Sequence, residues 1–432
     1  MTPRLELSAE ALTSPSYPVD TRISLLGTGF RPGARVRLTA TVRTEDGQRW
    51  ASAAEFDADE QGSVDPTQMS PHAGTYVGID EMGLFWSMRP DARPERGPTR
   101  FRLRELKPLC VGLTAESGDG RSATAEINWL LVPPSVSCER LVDPDGVGIF
   151  FRPAGPGPHP IVVVLGGSNG GISAAHAALL AGHGFATLAL SYFGVDPLPR
   201  ELIHVPLEFW RRARSWLDRQ HGCDPDRLAV VGSSKGAELA LLLASCYPSE
   251  ITAVIGYAPS GVVYQGIPAL RGQSEMKPVT PMSSWTLNGS PLPFVRFAGH
   301  RTTGTGLMIG PSEANPMSLK EMHENPLADI DVDHPAFIAV ERIAGPVLLI
   351  SGADDEIWPA TRLAEMIVDR LAGHGRGHLV RHVSYPNAGH LIGIPYLPTY
   401  GIESFGGGPE ANAAANADSW STALTFLHTH LD

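Results

Sequence analysis

The chain has 432 residues, of which 42% are hydrophobic and 19% charged, and its formal net charge is −12. This length suffices for two globular domains, and the composition is that of an ordinary folded protein. The negative charge argues against nucleic acid or an anionic membrane surface as the main partner.

Neither an export signal nor a membrane span is expected. The first twenty residues hold no apolar stretch of signal-peptide length, and no run approaches the ~20 apolar residues of a spanning helix. The final "LHTHLD" is not a peroxisomal or retention signal. Four cysteines lie scattered without a CxxC pair, which favours reduced thiols and a cytoplasmic setting.

Residues 1–134 have the pattern of a β domain. Alternating runs such as "ARVRLTATVR" and "TRFRLRELK" are separated by the turn signals "RPGA", "EDGQ" and "SGDG". This pattern predicts an antiparallel, immunoglobulin-like β-sandwich. The pair Pro133-Pro134 is predicted to form a linker.

From residue 137 to residue 432, predicted strands alternate with predicted helices. The strands are "GVGIFFRP", "PHPIVVVLGG", "FATLALSYF", "RLAVVGSS", "ITAVIGYAPS" and "GPVLLISGADD", and the first helices are "SAAHAALLAGHG", "PLEFWRRARSWLDRQHG" and "KGAELALLLAS". Helical spacing places one apolar face on the second helix, made of Phe209, Trp210, Ala213, Trp216 and Leu217. Continuously apolar strands alternating with helices predict a parallel sheet covered on both faces.

The junction "VGSSKG" joins a predicted buried strand to a predicted helix. Its G-x-S-x-G pattern is typical of the nucleophile elbow of α/β-hydrolases, although it also occurs in ordinary tight turns. Gly232 and Gly236 flank Ser234 at positions where a Cβ would clash. Ser233 lacks this spacing, so Ser234 is the predicted nucleophile. The helix N-terminus and the amide of Lys235 are predicted to stabilise developing negative charge.

A serine nucleophile needs a base and an orienting carboxylate, which follow the serine in the order acid, then histidine. Asp355 lies after the strand "VLLISG", and His390 lies in the loop "NAGH" after a later strand. Asp354 is the alternative acid. Both aspartates could instead begin a turn and cap the helix "PATRLAEMIVDRLAG".

The glycine-rich loop "LGGSNGG" follows the first long strand. It is predicted to supply a second oxyanion amide, from Gly167 or from Ser168 next to it. A phosphate-binding loop is the alternative, but neither a Walker lysine nor dinucleotide spacing follows.

No cofactor or metal is expected. His374, His378 and His382 have helical i, i+4, i+8 spacing. However, glycines between them break any such helix, and His382 falls in a predicted strand.

The side chain of Lys235 has two interpretations. It could lie at the mouth of the site and attract phosphate groups, or it could be a solvated lysine paired with Glu238 one turn later. A second basic cluster, made of Arg211, Arg212 and Arg214, is interpreted as a helix surface.

Nearly the whole chain resembles the acyl-CoA thioester hydrolase / bile acid-CoA:amino acid N-acyltransferase family. The segments that carry the resemblance are "FRPGARVRLTA", "GTYVGIDEMGLFWSM", "LLAGHGFATLALSYF", "DPLPRELIHVPLEFW", the elbow, "VSYPNAGHLIGIPYLPT" and "FGGGPEANAAANADSWSTALTFLHTHL". The resemblance implies a β-sandwich over 1–134, an α/β-hydrolase over 137–432, and a triad of Ser234, Asp355 and His390.

In this family the thioesterases use serine and the N-acyltransferases use cysteine, so Ser234 favours hydrolysis of an acyl-CoA or related thioester. Alternatives are acyl transfer to an amine or alcohol, a carboxylesterase or peptidase, and a non-catalytic binding module. Two features depart from the family. Gly393 stands where a glutamate is frequent, and a Pro-, Gly- and Ser-rich insertion over about 265–335 is predicted to form a lid.

Overall fold

The computed structural model describes residues 4–8, 16–91, 100–103, 105–142, 146–268, 280–298, 318–331 and 333–432. The chain divides into two compact units. The first comprises Met1–Pro134, Ile394–Ser404 and Gly408–Asp418, and the second comprises Ser135–Gly393, Phe405–Gly407 and Ser419–Asp432.

The first unit contains two β-sheets. Its elements are β1 (Arg4–Ser8), β2 (Ser16–Pro18), β3 (Ser24–Thr28), β4 (Arg35–Arg43), β5 (Arg49–Asp57), β6 (Ala73–Gly74), the short helix α1 (Gly83–Trp86), β7 (Arg89–Pro90), β8 (Leu109–Ser117) and β9 (Ser122–Leu130). A seven-stranded sheet has the order β2-β9-β8-β4-β5-β6 with β7 also on β5, and β1 pairs with β3. The β2–β9 pair is parallel and the others are antiparallel.

Alternation along the strands of the first unit follows the prediction. Along β4, buried side chains alternate with exposed or half-buried ones, which is the pattern of a sheet with one face toward a core. The predicted strand "TRFRLRELK" is wrong where it is described, since residues 100–103 lie outside any strand. Phe101 packs edge-on against Trp50 of β5 at 5.3 Å, so this residue contacts the sheet without being part of a strand. The immunoglobulin-like arrangement stays a prediction.

The second unit is built on an eight-stranded sheet. Its strands are β10 (Ser137–Leu141), β11 (Val147–Arg152), β12 (His159–Leu165), β13 (Ala186–Ser191), β15 (Cys223–Ser233), β16 (Ala253–Tyr257), β19 (Val347–Gly352) and β20 (Val380–Tyr385). Their order is β10-β11-β13-β12-β15-β16-β19-β20. The first two pairs are antiparallel and all the others are parallel.

Helices and short strands complete this unit. They are α2 (Ala174–Gly182), β14 (Val205–Pro206), α3 (Phe209–Leu217), α4 (Lys235–Cys246), β17 (Trp285–Leu287), β18 (Ser290–Pro291), α5 (Leu319–Glu324), α6 (Ala360–Gly373) and the part of α7 (Pro409–Leu431) from Ser419 on, the earlier part of α7 being in the first unit. Every residue of β13 is buried, as expected for a sheet strand covered on both faces. The five apolar residues predicted on one face of α3 are all buried. This unit has an α/β-hydrolase fold, as predicted.

Sequence analysis assigned no secondary structure to six of these segments, namely β10, β14, β17, β18, α5 and α7. β10 lies in a polar stretch after the linker, and α7 is a 23-residue helix. Of the predicted insertion, 269–279, 299–317 and 332 lie outside the described residues, and the rest contributes β17, β18 and α5. In the described part of the chain, no helix is long and apolar enough to cross a membrane.

Candidate active site

Ser234 occupies a sharp turn between β15 and α4. Its backbone has φ 57° and ψ −123°, a left-handed conformation that is rare for a residue with a Cβ. The Ser234 N–H donates to the carbonyl of Tyr257 on the neighbouring strand β16 at 2.8 Å. The tertiary structure therefore holds this residue in a strained conformation, as is frequent at functional sites.

The two glycines of the elbow allow this turn. A Cβ built on Gly232 would overlap the carbonyl of Gly236. A Cβ built on Gly236 would overlap the carbonyls of Leu165 and Gly166 at the end of β12. Both positions therefore require glycine, for the steric reason that the sequence suggested.

The structure brings the three predicted triad residues together. His390 Nε2 lies 3.0 Å from Ser234 Oγ, and His390 Nδ1 lies 2.7 Å from Asp355 Oδ2. The carboxylate can only accept, so Nδ1 carries the proton and Nε2 is free to accept the serine proton. Asp355 is 1% exposed and His390 is 8% exposed, so this arrangement is largely shielded from water.

The two adjacent aspartates have different environments. The second carboxylate oxygen of Asp355 accepts the backbone N–H groups of Ile357 (2.8 Å) and Trp358 (3.1 Å). Asp354 is exposed and its Oδ2 accepts the N–H of Gly407 at 2.9 Å. Neither caps α6, whose N-cap is Pro359 without a side-chain hydrogen bond.

The glycine-rich loop after β12 lies beside the serine. A Cβ built on Gly167 would lie 3.3 Å from Ser234 Cβ and 3.9 Å from Ser234 Oγ. Ser168 is the next residue of this loop and is half-buried. The loop is held by Tyr192, whose hydroxyl donates to the carbonyl of Gly166 at 2.6 Å. On the other side of Ser234, Lys235 is in the first turn of α4, where helix amides lack intrahelical acceptors.

The side chain of Lys235 does not reach the mouth of the site. It is 3% exposed, and its Nζ lies 2.6 Å from Oε1 of Glu238, which is 0% exposed. The interpretation that places this lysine at the mouth of the site is therefore wrong, and the interpretation as a solvated pair with Glu238 is right only in part. The pairing with Glu238 is present, but the pair is buried rather than solvated, and a buried ammonium cannot attract phosphate groups from solvent.

Three further hydrogen bonds surround this buried pair. Trp285 Nε1 donates to Glu238 Oε1 at 2.7 Å, the N–H of Tyr264 donates to Glu238 Oε2 at 3.4 Å, and Lys235 Nζ donates to the Tyr264 carbonyl at 3.2 Å. Burial raises the pKa of Glu238 and lowers the pKa of Lys235, while the pairing opposes both shifts. The hydrogen bonds satisfy charges that would otherwise be costly to bury.

An aromatic cluster extends from the catalytic candidate His390. The ring of Trp358 lies 5.8 Å from that of His390 and 5.7 Å from that of His323. Tyr264 stacks on both Trp358 and Phe297. His390 is therefore packed on this side against buried aromatic rings.

His323 is a second histidine of this cluster and comes from α5 of the insertion. Its Nδ1 donates to the carbonyl of Leu319 at 2.7 Å. Burial lowers the pKa of His323 to about 4, so the ring is neutral at pH 7.

The three spaced histidines are separated by the fold. His374 is the C-cap of α6, His378 lies in a short 3₁₀ turn, and His382 lies in β20 with Nε2 2.8 Å from Ser351 Oγ. Across the described ranges, no group of three or more His, Cys, Asp or Glu residues could hold a metal ion.

Sequence analysis missed two features of this site. One is the burial of Glu238, which was expected to form a solvated pair with Lys235. The other is the segment Phe405–Gly407, which contacts the loops of Asp355 and His390. The run "FGGG" was a usable signal for the second, because consecutive glycines mark close approach of backbones.

Comparison with known proteins gives matches over most of the chain. The family profile "BAAT / Acyl-CoA thioester hydrolase C terminal" matches residues 205–432. The profile "Acyl-CoA thioester hydrolase/BAAT N-terminal region" matches residues 20–143.

Curated relatives match at nearly full length. Acyl-coenzyme A amino acid N-acyltransferase 2 of Rattus norvegicus is 30% identical over 98% of this chain and 98% of its own. Acyl-coenzyme A thioesterase 6 of Mus musculus is 30% identical over 96% of this chain and 94% of its own. Acyl-coenzyme A thioesterase 1 of Homo sapiens is 29% identical over 93% and 92%.

Proposed function

The chain belongs to the acyl-CoA thioester hydrolase / bile acid-CoA:amino acid N-acyltransferase family, and on this premise we propose that it hydrolyses acyl-CoA thioesters through an acyl-serine intermediate. The observation that carries the proposal is the position of His390, which is within hydrogen-bond distance of both Ser234 Oγ and Asp355 Oδ2 at the elbow. This is the arrangement that activates a serine for attack on an acyl group.

In the first half-reaction, His390 Nε2 takes the proton of Ser234 as the serine oxygen attacks the thioester carbonyl. The oxyanion is stabilised by the amides of Lys235 and Gly167, each worth ~3–4 kcal/mol of barrier. The tetrahedral intermediate then breaks its carbon–sulfur bond, and the leaving thiolate takes the proton from His390. Asp355 keeps the imidazole in the required tautomer and stabilises its charged form.

In the second half-reaction, His390 removes a proton from water, and the hydroxide attacks the acyl-serine carbonyl. The ester bond to Ser234 breaks, the serine oxygen recovers its proton from His390, and the free acid leaves. The reaction uses only groups of the protein and water.

We further propose that the described part of the insertion over about 265–335, which contributes β17, β18 and α5, covers the acyl group. Two observations support this role. His323 of α5 packs against Trp358, which packs against His390, and Trp285 of β17 binds the carboxylate of Glu238, four residues after the nucleophile.

Acyl transfer to an amine is the second candidate function, because several curated relatives are named acyl-CoA amino acid N-acyltransferases. The family resemblance associates transfer with a cysteine nucleophile. Ser234 therefore favours hydrolysis, because an acyl-serine is an oxygen ester and is less reactive toward amines than a thioester.

A panel of acyl-CoAs of increasing chain length, with and without glycine or taurine, tests both functions when products are measured by mass. We expect free acid and CoA with every amine, and no turnover with Ser234→Ala. The same acyl groups presented as oxygen esters distinguish a carboxylesterase, which would turn these esters over in preference to the thioesters. Amide as the main product contradicts hydrolysis and favours transfer, and no turnover of any thioester contradicts both.

A further inference from the structure

The segment Phe405–Gly407 lies against the loop that carries the candidate acid. The carbonyl of Phe405 accepts the N–H of Glu356, the residue after Asp355, at 3.3 Å. Gly406 forms an antiparallel β-bridge with Asp355 itself. The acid loop, which follows β19, is therefore tied by its backbone to a segment far along the chain.

The same segment also lies against the loop that carries the candidate base. The carbonyl of Phe405 accepts the N–H of His390 at 2.8 Å, and Gly407 forms an antiparallel bridge with Ala388. One carbonyl oxygen thus accepts from both loops. This oxygen fixes the backbone of His390 relative to the backbone next to Asp355.

The glycines of the segment make this double contact possible. Gly406 has φ 92° and Gly407 has φ 72°, both in the left-handed region where a Cβ is unfavourable. A Cβ on Gly406 would overlap the carbonyl of Asp354, and a Cβ on Gly389, the residue before His390, would overlap the carbonyl of Gly406. The backbones on both sides are too close to admit side chains.

The side chain of Asp354 also binds the segment Phe405–Gly407. Its Oδ2 accepts the N–H of Gly407 at 2.9 Å, while its own N–H donates to the carbonyl of Ala388 at 3.0 Å. Of the two adjacent aspartates, one therefore binds the ring of His390 and the other binds the segment that holds the backbone of His390.

We propose that Phe405–Gly407 is a clasp that sets the geometry of His390 against Asp355, and that Asp354 is a positioning residue that keeps this clasp closed. This inference rests on the proposed function, because it gives the clasp a role in the activation of Ser234. The two loops follow different strands, β19 and β20, so a tie between them limits their relative movement. A displacement of ~1 Å in such a site lowers the rate on the order of 100-fold.

The test compares Asp354→Ala with Asp354→Asn. The asparagine keeps a side-chain oxygen that can accept the N–H of Gly407, and the alanine does not. Asp369→Ala is the matched control, since Asp369 is an exposed aspartate on α6. Gly406→Ala is a more disruptive variant, because the added Cβ would overlap the carbonyl of Asp354 and displace the segment Phe405–Gly407.

The measurement is the rate of labelling by a fluorophosphonate, alongside kcat, KM and the unfolding temperature. In labelling, the oxygen of Ser234 bonds to phosphorus, fluoride leaves, and the proton passes to His390. This readout reports activation of the serine and does not depend on which acyl group is the substrate.

We expect Asp354→Ala to lower the labelling rate and kcat by about 10- to 100-fold, with KM and unfolding temperature unchanged. Asp354→Asn and Asp369→Ala should stay within about 2-fold of the parent. If the parent protein is labelled at Ser234 and the Asp354→Ala variant is labelled at the same rate, the role of the clasp is wrong and the proposed function is unaffected. A parent that does not label at Ser234 overturns the proposed function and the clasp with it.

Discussion

Lys235 and Glu238, three residues apart at the start of the helix that follows Ser234, form a 2.6 Å ion pair with both side chains buried. The backbone of Lys235 borders the nucleophile, whereas its side chain points into the protein interior. Buried pairs of this kind add little net stability but are costly to break.

The first prediction concerns this pair. Lys235→Met and Glu238→Gln should each lower the free energy of unfolding by ~3–5 kcal/mol, because each leaves one buried charge without its partner. The double variant should lose less than the sum, since it buries no charge at this place and the amide oxygen introduced by Glu238→Gln can still accept from Trp285. Urea unfolding of the four proteins measures the coupling, and additive losses would contradict a buried ion pair.

Ser234→Ala should lower the rate of thioester hydrolysis by several orders of magnitude, while the circular dichroism spectrum and the unfolding temperature stay unchanged. His390→Ala should cost nearly as much, and the double variant little more, because the triad acts as one unit. Steady-state kinetics on an acyl-CoA checks this. A folded Ser234→Ala that keeps most of its rate refutes the assignment of the nucleophile.

Asp355→Ala should lower kcat by about 10⁴-fold, because the imidazole loses both its orientation and the stabilisation of its charged form. Asp354→Ala should cost less, since its carboxylate contacts the clasp and not the ring of His390. The two variants are compared on one substrate. Equal losses would show that the two carboxylates share one role.

Ser234→Cys should keep part of the acyl-CoA turnover, since a thiolate is a good nucleophile that His390 can still activate. The acyl-cysteine is a thioester and is more open to amines, so added glycine should raise the ratio of amide to free acid relative to the parent. Product mass at matched glycine concentration gives this ratio. An unchanged ratio in an active variant would assign the choice of acceptor to the pocket rather than to the nucleophile.

His176 on α2 should make the protein less stable in mild acid. Its ring packs against Tyr257 and Trp420, and burial lowers its pKa to about 4. In the unfolded chain the pKa is ~6.5, so between these values the unfolded state binds the extra proton. Stability is therefore lost as pH falls from ~6.5 to ~4, by up to ~1.4 kcal/mol per unit for this histidine.

The check is urea unfolding at several pH values in that window. His176→Gln should flatten the pH dependence, while His221→Gln, at an exposed position, should not. His323, whose pKa is also about 4, keeps part of the slope in the variant. An unchanged slope in His176→Gln would show that the ring is already protonated or already solvated in the folded protein.

The local sequence pattern was sufficient to predict most of the long strands and helices of the second unit. The spacing of Gly232, Ser234 and Gly236 predicted the elbow because its cause is steric and lies within five residues. Position after a strand end likewise pointed to Asp355, which lies next to His390 in the fold.

Contacts between distant segments were beyond this kind of inference. The burial of Lys235 depends on Tyr264 and Trp285, neither of which is near it in sequence. The run "FGGG" indicated a close approach of backbones, but it could not show that the carbonyl of Phe405 accepts from both loops, because a backbone carbonyl gives no compositional signal. The strand predicted over "TRFRLRELK" is wrong where the segment is described, because Phe101 packs against Trp50 from outside any strand, and alternation alone does not distinguish this packing from a sheet ladder.

The hydrogen bond from Trp285 to Glu238 also bears on how acyl preference could be re-engineered. Exchanging the insertion for that of a relative is the obvious way to change the substrate, but this insertion supplies a donor to a carboxylate in the helix behind the nucleophile. A graft that lacks a donor at this place would leave Glu238 short of one hydrogen bond at the centre of the enzyme. The insertion therefore cannot be exchanged independently of the helix that follows Ser234. A successful exchange has to retain Trp285 or replace Lys235 and Glu238 together.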